Sequence, residues 1–445
     1  MSKAVIKKIF SSQLRINMIS GSFMSIVNIA ISVIAYPIYI NFLGYEKYGV
    51  WLVLTTVLSF AALGDLGIGT AVMKLVAEKK GKGDFLSIQN CITTALALLF
   101  ISGTIIFVIL MLLRHPIVTI FKLNDENSQM VLWLFPYIGI ICIYTFMTQV
   151  LQAALSGFGR MDMANYIRSF SQGIQVAVSG VFLSCGYGVK AMLIGSLVCC
   201  ATIHLLTMLC IGRIARLRIF NISNLNYAHL RNLLRFGGTV FSGTLINMLL
   251  APFNKLMLTR YAGVSVLPVY EIVDKASMSV RSLIEAGLRA LLPEISNISS
   301  QTTREAESRV NSIYTSALKI IITFGTTLFG TLFFLSPFIF SIWFGENFAK
   351  TMPTAFRVML VGTFMSLLSV PAYYTLMGTN QVTHCLASHV IQSIVNFITI
   401  SFIVIFIHTL DVQQVVLAVA TGMSLSSIYL LTTMRIKMKN SFTKK

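Results

Sequence analysis

Long apolar segments recur along the whole chain, and short polar connections separate them. An α-helix needs about 20 mainly apolar residues to cross a bilayer. Segments of that length occur at about 16–42, 48–74, 90–113, 129–156, 166–186, 190–212, 236–260, 266–293, 311–335, 352–377, 384–408 and 412–434. The pattern predicts twelve transmembrane helices, with connections too short to hold a soluble domain.

Charged residues interrupt this pattern in the eighth predicted span. Six of them share one stripe of that helix, roughly 120° wide at 3.6 residues per turn. They are Glu271, Asp274, Lys275, Arg281, Glu285 and Arg289. A charge that faces lipid at the bilayer centre costs at least ~2.5 kcal/mol. We therefore expect the stripe to line a polar interior.

Pairing within the helix is the alternative explanation of this stripe. The spacing of four residues allows an ion pair between Glu271 and Lys275. The same spacing allows Glu285 to pair with Arg281 and with Arg289. We expect such pairs to form, but they do not explain why a costly stripe is present at all.

Composition supports a membrane protein. The chain has 56% hydrophobic and only 11% charged residues, with a mean hydropathy of +0.80. Soluble domains carry about 25% charged residues. Most Lys and Arg residues fall in the tails and in connections on the same side as the tails, which accounts for the net charge of +19. We therefore predict cytoplasmic termini and no nucleic-acid partner.

The two halves of the chain resemble each other. A shift of 219 residues places Phe42-Leu43-Gly44 on Tyr261-Ala262-Gly263 and also superimposes two asparagines, Asn28 and Asn247. Such repeats are typical of transporters with a binding site near the membrane midplane. The offset predicts an N-terminal six-helix bundle at 1–222 and a C-terminal one at 223–445. Chance alignment of hydrophobic sequence is the alternative.

Asp65 is the only acidic residue within the first two predicted spans, and Gly64 and Gly67 flank it. We favour a role in helix packing or capping, with a coupling carboxylate as the alternative. Asn28 and Asn247 either line a cavity or serve helix packing, which also uses small polar residues.

Three segments resemble bacterial polysaccharide flippases of the Wzx type, which belong to the MATE/polysaccharide-transporter (MOP) superfamily. These segments are Phe42-Leu43-Gly44 with Tyr48-Gly49, the run 64–69 with its continuation at 77–84, and the run 155–162. The resemblance implies an all-α integral membrane fold. It would have twelve transmembrane helices in two six-helix bundles, related by pseudo-two-fold symmetry along the membrane normal.

The resemblance also implies a function. The chain would move an oligosaccharide linked to undecaprenyl diphosphate, such as an O-antigen repeat unit, from the cytoplasmic to the periplasmic leaflet of a bacterial inner membrane. It would be a transporter, not an enzyme, and would need no cofactor. Membrane lipid would surround it, and a polysaccharide polymerase and a chain-length regulator are candidate partners. The seven cysteines show no metal-ligand spacing, so no metal site is predicted.

Candidate roles follow from the chemistry of that substrate. Cations would bind the diphosphate, and arginine can contact two phosphate oxygens at once. The candidate cations are Lys275, Arg281 and Arg289. Groups that could bind sugar hydroxyls are Asn28, Asn247, Gln172 and Gln175. Acids with ion-coupling or structural roles are Asp65, Glu271, Asp274 and Glu285.

Two other functions fit the sequence less well. A MATE-like, cation-coupled exporter of small molecules would have the same span number, but a cationic drug would favour a cavity richer in acids. A membrane glycan polymerase would usually need a large periplasmic loop, and the predicted outer connections are short.

Overall fold

The computed structural model describes residues 12–215, 227–288, 291, 295, 298, 304–345, 351–379 and 381–443. These ranges are almost entirely helical and contain no β-strand. The helices up to Ala262 are α1 (Ser12–Ala61), α2 (Ile68–Gly81), α3 (Phe85–Leu112), α4 (Arg114–Phe121), α5 (Asp125–Gly157), α6 (Met161–Ser184), α7 (Val189–Ala215) and α8 (Tyr227–Ala262). The helices that follow are α9 (Leu267–Leu288), α10 (Arg304–Ile320), α11 (Thr326–Phe344), α12 (Thr351–Leu368), α13 (Val370–Gly378), α14 (Val382–Ile407) and α15 (Val412–Thr443).

The first two predicted spans run together in α1, and a single glycine separates them. Gly44 has φ 69° and ψ 173°, a non-helical conformation inside the range of α1. A side chain would make this conformation costly, whereas glycine adopts it freely. The predicted outer connection after residue 42 is therefore a break at one residue.

Eight helical segments of the described chain are long and apolar enough to cross a membrane, and one of them, Phe23–Asp65, covers most of the first predicted span and part of the second. All twelve predicted spans overlap described helices, but those at 48–74, 311–335 and 352–377 each cross a boundary between two helices. An all-α membrane protein is thus confirmed, while these eight segments do not by themselves establish a count of twelve. The helices α6, α8 and α9 are not among the eight. All three carry polar or charged residues within the predicted span.

The chain divides into two compact units, Met1–Ser265 and Val266–Lys445. The first unit includes α8, which packs against α1, α2, α3 and α4. In the second unit, α15 packs against both α12 and α14. The division of the repeat at residues 222 and 223 stays a prediction, as does its symmetry.

Glycines bring the spanning helices of the second unit into close contact. A Cβ on Gly362 of α12 would lie 2.5 Å from the Cα of Ala420 in α15. One on Gly422 of α15 would lie 2.7 Å from the carbonyl oxygen of Gln392 in α14. Helices that associate in lipid commonly use small residues in this way, because lipid offers little hydrophobic driving force between helices.

Candidate functional site

Two of the segments that carry the family resemblance contact each other in the first unit. The Lys80 ammonium at the end of α2 donates a hydrogen bond of 2.6 Å to the Phe158 carbonyl, just after α5. Gly157 packs so closely on α2 that its Cβ would lie 2.7 Å from the carbonyl oxygen of Met73. These contacts hold α2 against the turn between α5 and α6.

The glycine-rich run 64–69 forms the turn between α1 and α2. Leu66 and Gly67 take left-handed conformations, with φ 51° and 71°, and so end the short 3₁₀ segment before α2. The Gly64 carbonyl accepts a hydrogen bond of 2.8 Å from the Ser102 hydroxyl of α3. A Cβ on Gly64 would collide with the terminal methyl group of Ile106, so a larger residue here would require that side chain of α3 to shift.

Asp65 lies over the first turn of α2. Its two carboxylate oxygens are each 4.0 Å from the Cβ position of Gly69, and Oδ1 is buried with no hydrogen-bond partner among the described residues. A carboxylate at a helix N-terminus is favoured by the helix dipole. This position supports the capping role, which stays a prediction.

An ion pair marks the start of α6. The Arg160 guanidinium donates to both carboxylate oxygens of Asp162, with Nε–Oδ1 at 3.1 Å and Nη2–Oδ2 at 3.2 Å. Burial raises the pKa of Asp162, but hydrogen bonds from Arg160 and from the Met163 backbone outweigh it, so the net pKa is lowered. The carboxylate is therefore held in its charged form.

The helices α1 and α6 lie side by side in the first unit. The Asn165 amide of α6 donates to the Ser20 hydroxyl of α1 at 3.1 Å. Further along, a Cβ on Gly180 of α6 would lie 3.9 Å from Ile38 of α1. The residue numbers rise together along the two helices, from the first contact to the second. The two helices are therefore parallel, and their middle turns lie next to one another.

The middle turns carry the predicted amides. Interpolation between the two contacts places Asn28 of α1 at the level of Gln172 of α6, and both side chains are half-buried. The Asn28 Oδ1 atom is buried with no hydrogen-bond partner among the described residues. Gln175 donates to the Ser196 hydroxyl of α7 at 3.1 Å. A buried acceptor of this kind is costly unless water or a ligand meets it.

Arg168 was missed as a site residue at the sequence level. It lies inside α6, within the predicted span at 166–186, and its side chain is exposed. The structure records no ion pair for it within the described ranges. The missed signal is the spacing, because Arg168, Gln172 and Gln175 follow at intervals of four and three residues and share one helix face.

The second unit has its polar helix in α9. The Arg281 guanidinium pairs with the Glu285 carboxylate at 3.3 Å, and the Tyr374 hydroxyl of α13 donates to the same carboxylate at 3.3 Å. The predicted Arg281–Glu285 pair is thus confirmed. The Nε atom of Arg281 is buried and has no hydrogen-bond partner among the described residues.

The other predicted residues of α9 have different surroundings. Glu271 is buried, Asp274 is half-buried and Lys275 is exposed. For Lys275 the structure records no ion pair in the part of the chain that it describes. Arg289 lies outside the described residues, and so does the side chain of Asn247, whose backbone belongs to α8.

Arg357 is a cation in α12, within the predicted span at 352–377. Its Nε atom donates to the Phe333 carbonyl at 2.9 Å and to the Ser336 hydroxyl at 3.0 Å, both in α11. Pro337 lacks the N–H that would otherwise bond the Phe333 carbonyl four residues earlier. Arg357 therefore satisfies a carbonyl that the proline leaves without its helical partner.

The described residues contain no group of three or more His, Cys, Asp or Glu side chains that could hold a metal ion. The absence of a cofactor stays a prediction.

The described chain is a multi-pass helical membrane protein with a polar helix in each compact unit, and the relatives below place it among membrane transporters. A family model described as "Polysaccharide biosynthesis protein" matches residues 14–299. The chain belongs to this family, which confirms the resemblance found in its sequence.

Known relatives agree with that assignment. A Shigella flexneri protein named "Putative O-antigen transporter" is 21% identical over 351 residues, which cover 77% of this chain and 81% of that protein. An inward-facing multidrug resistance MATE family transporter of the MOP superfamily is 16% identical with a TM-score of 0.79, over 97% of this chain and 98% of that one. A MOP superfamily transporter from Pyrococcus furiosus is 14% identical with a TM-score of 0.67, over 96% of each chain. The similar structures confirm the MATE-like fold.

Proposed function

We propose that this chain is a flippase for an oligosaccharide linked to undecaprenyl diphosphate, such as an O-antigen repeat unit. It would carry this substrate by alternating access from the cytoplasmic to the periplasmic leaflet of a bacterial inner membrane, with both termini cytoplasmic. Membership of the polysaccharide biosynthesis family supports the substrate class. The observation that carries the proposal is the pair of cations on polar helices, Arg168 in α6 and Arg281 in α9.

The chemistry of these helices fits the two polar parts of such a substrate. A guanidinium can bind two phosphate oxygens at once, and a diphosphate offers several. Amide groups both donate and accept hydrogen bonds, as sugar hydroxyls do. In the first unit Asn28 and Gln172 lie at the same level, close along α6 to Arg168. This arrangement would bind a glycan next to its phosphate.

The half-buried ion pair in α9 suggests how binding could be reversible. Arg281 is held by Glu285 before substrate arrives, and a diphosphate would compete with that carboxylate for the guanidinium. Tyr374 remains in place to donate a hydrogen bond to Glu285. An inside-negative potential would favour outward movement of the anionic head group by about 2.3 kcal/mol per charge per 100 mV. Polymerase and chain-length proteins would act after this step.

Reconstitution in proteoliposomes tests the proposal. The native chain should move a diphosphate-linked glycolipid between leaflets, and faster under a potential that drives anions outward. Arg168→Gln with Arg281→Gln should abolish this movement. The matched control is Arg309→Gln, at an exposed position of α10, which should keep it. Native protein that moves no such glycolipid but exports a cationic drug would refute the proposal in favour of the exporter.

A further inference from the structure

An apolar groove of about 500 Å³ lies in the second unit, between α9 and the helix that follows it. Ile284 and Leu288 of α9 form one wall, and Ile313, Ala317 and Ile320 of α10 form part of the other. Polar groups contribute little to the described lining, in which Ser312 and Ser316 are the polar side chains. Ligand sites typically enclose 300–1,000 Å³ and are lined mainly by apolar side chains.

The end of the groove wall departs from regular α-helix. Residues Ile321–Gly325 form a π-helical turn between α10 and α11, and Ile321 and Phe324 both line the groove. This turn packs on α12, because a Cβ on Gly325 would lie 3.0 Å from the Phe364 ring. Single π-turns inside helices often occur at functional sites, since a wider turn is less favourable than the α-helix that it replaces.

A buried cluster lies beside the groove. Leu291 and Ile313, which both line the groove, pack against the buried side chains of Ile295, Ala306 and Val310. With the predicted cytoplasmic termini, this cluster lies on the cytoplasmic side, because α9 then runs inward and α10 outward. The groove would therefore lie on the side from which the proposed substrate enters.

The groove adjoins the ion pair on the same helix. At 100° per residue, Leu288 lies about 20° around α9 from Arg281, and Ile284 about 60° from it. The axial separation of Arg281 and Leu288 is about 10 Å at 1.5 Å per residue. One side of α9 thus presents a guanidinium and, two turns further on, an apolar groove. A molecule with an anionic head and a long apolar chain could place its head at the guanidinium and its chain in the groove.

We infer that the α9–α10 groove binds the first part of the polyprenyl chain while the diphosphate contacts Arg281. This inference rests on the proposed function. A phospholipid acyl chain has similar apolar chemistry, and the labelling experiment below distinguishes the two sources. Binding a single chain beside the phosphate-binding cation would let the protein select a polyprenyl carrier from the surrounding bilayer.

Photolabelling in nanodiscs tests where the chain binds. The probe is undecaprenyl phosphate with a diazirine in its prenyl chain, and a phosphatidylglycerol with a diazirine in one acyl chain serves for comparison. Prenyl adducts should concentrate between residues 284 and 324, and excess unlabelled undecaprenyl phosphate should compete for them. Ser316→Trp should fill the groove and reduce these adducts about tenfold. Thr327→Trp, an exposed position of α11 outside the groove lining, is the matched control.

Adducts spread over all lipid-facing helices, or equal competition by phosphatidylglycerol, would refute the groove assignment. A transport arm separates this failure from failure of the proposed function. The same glycan is supplied on an undecaprenyl and on a farnesyl diphosphate, and the native chain should show the lower KM for the longer carrier. Ser316→Trp should remove that preference. If native protein flips both carriers with equal KM, only the groove is wrong. If it flips neither, the proposed function fails and the labelling alone decides the groove.

Discussion

The two polar helices, α6 in the first unit and α9 in the second, carry their cations in opposite ways. Arg168 of α6 is exposed, and the described residues give it no ion pair, whereas Arg281 of α9 is held by Glu285. A charge inside a membrane protein is tolerated if water reaches it or if a partner neutralises it. Arg168 could therefore bind an anion directly. Arg281 could do so only after the anion displaces the Glu285 carboxylate.

The largest effect is expected at Arg281. Arg281→Ala should abolish transport and destabilise the protein by about 2–3 kcal/mol, because Glu285 would lose its cation. Thermal unfolding in detergent and flipping in proteoliposomes measure the two effects separately. The double variant Arg281→Leu with Glu285→Leu should regain most of the stability and none of the transport. Transport by the double variant would show that the pair is only structural.

Arg168 should behave differently. Arg168→Gln should reduce transport at least ~tenfold while unfolding stays within about 0.5 kcal/mol of native, because no partner is left behind. Arg168→Lys should retain partial transport, since a lysine keeps the charge but loses the bidentate geometry. A large loss of stability in Arg168→Gln would mean that both helices use their cations structurally, and the contrast would disappear.

Arg357 shows what a purely structural cation within the spanning helices should look like. Arg357→Leu should destabilise by about 1–3 kcal/mol, because the Phe333 carbonyl would lose its donor. In a Pro337→Ala background the helix supplies its own N–H, so the same substitution should cost less. Unfolding of the four proteins in a double-mutant cycle measures the difference. Equal costs in both backgrounds would refute the link to Pro337.

The smallest effect is expected at the Arg160–Asp162 pair where α6 begins. The lowered pKa of Asp162 means that the pair stabilises the fold above the unfolded pKa of about 3.9 and loses this effect as the pH falls through the folded pKa. Asp162→Asn should therefore lower the unfolding temperature at pH 7, by an amount equivalent to under ~1 kcal/mol. The gap between native and variant should narrow as the pH falls from the unfolded pKa through the lower folded pKa. A gap that stays constant as the pH falls through this range would rule out the charge as its cause.

Sequence alone determined the class of protein and most of its helices. Apolar runs and a charged stripe are local features of the sequence. Apolar runs are stable inside the bilayer, and charged residues are costly where they face lipid, so both can be assigned before any packing is considered. The same local periodicity predicted the Arg281–Glu285 pair, whose partners are one turn apart. The glycine-rich run 64–69 was recognised as a family feature, but its close contact with α3 was not predicted.

Only the tertiary structure decided which distant groups meet. Lys80 contacts the Phe158 carbonyl, Tyr374 reaches Glu285, and Arg357 serves the carbonyl released by Pro337. The α9–α10 groove likewise depends on how two successive helices pack. A residue's own periodicity specifies which face of a helix it occupies, but the partner on that face is set by packing between segments far apart in sequence. That packing carries no local signature, so these contacts could not be read from the chain alone.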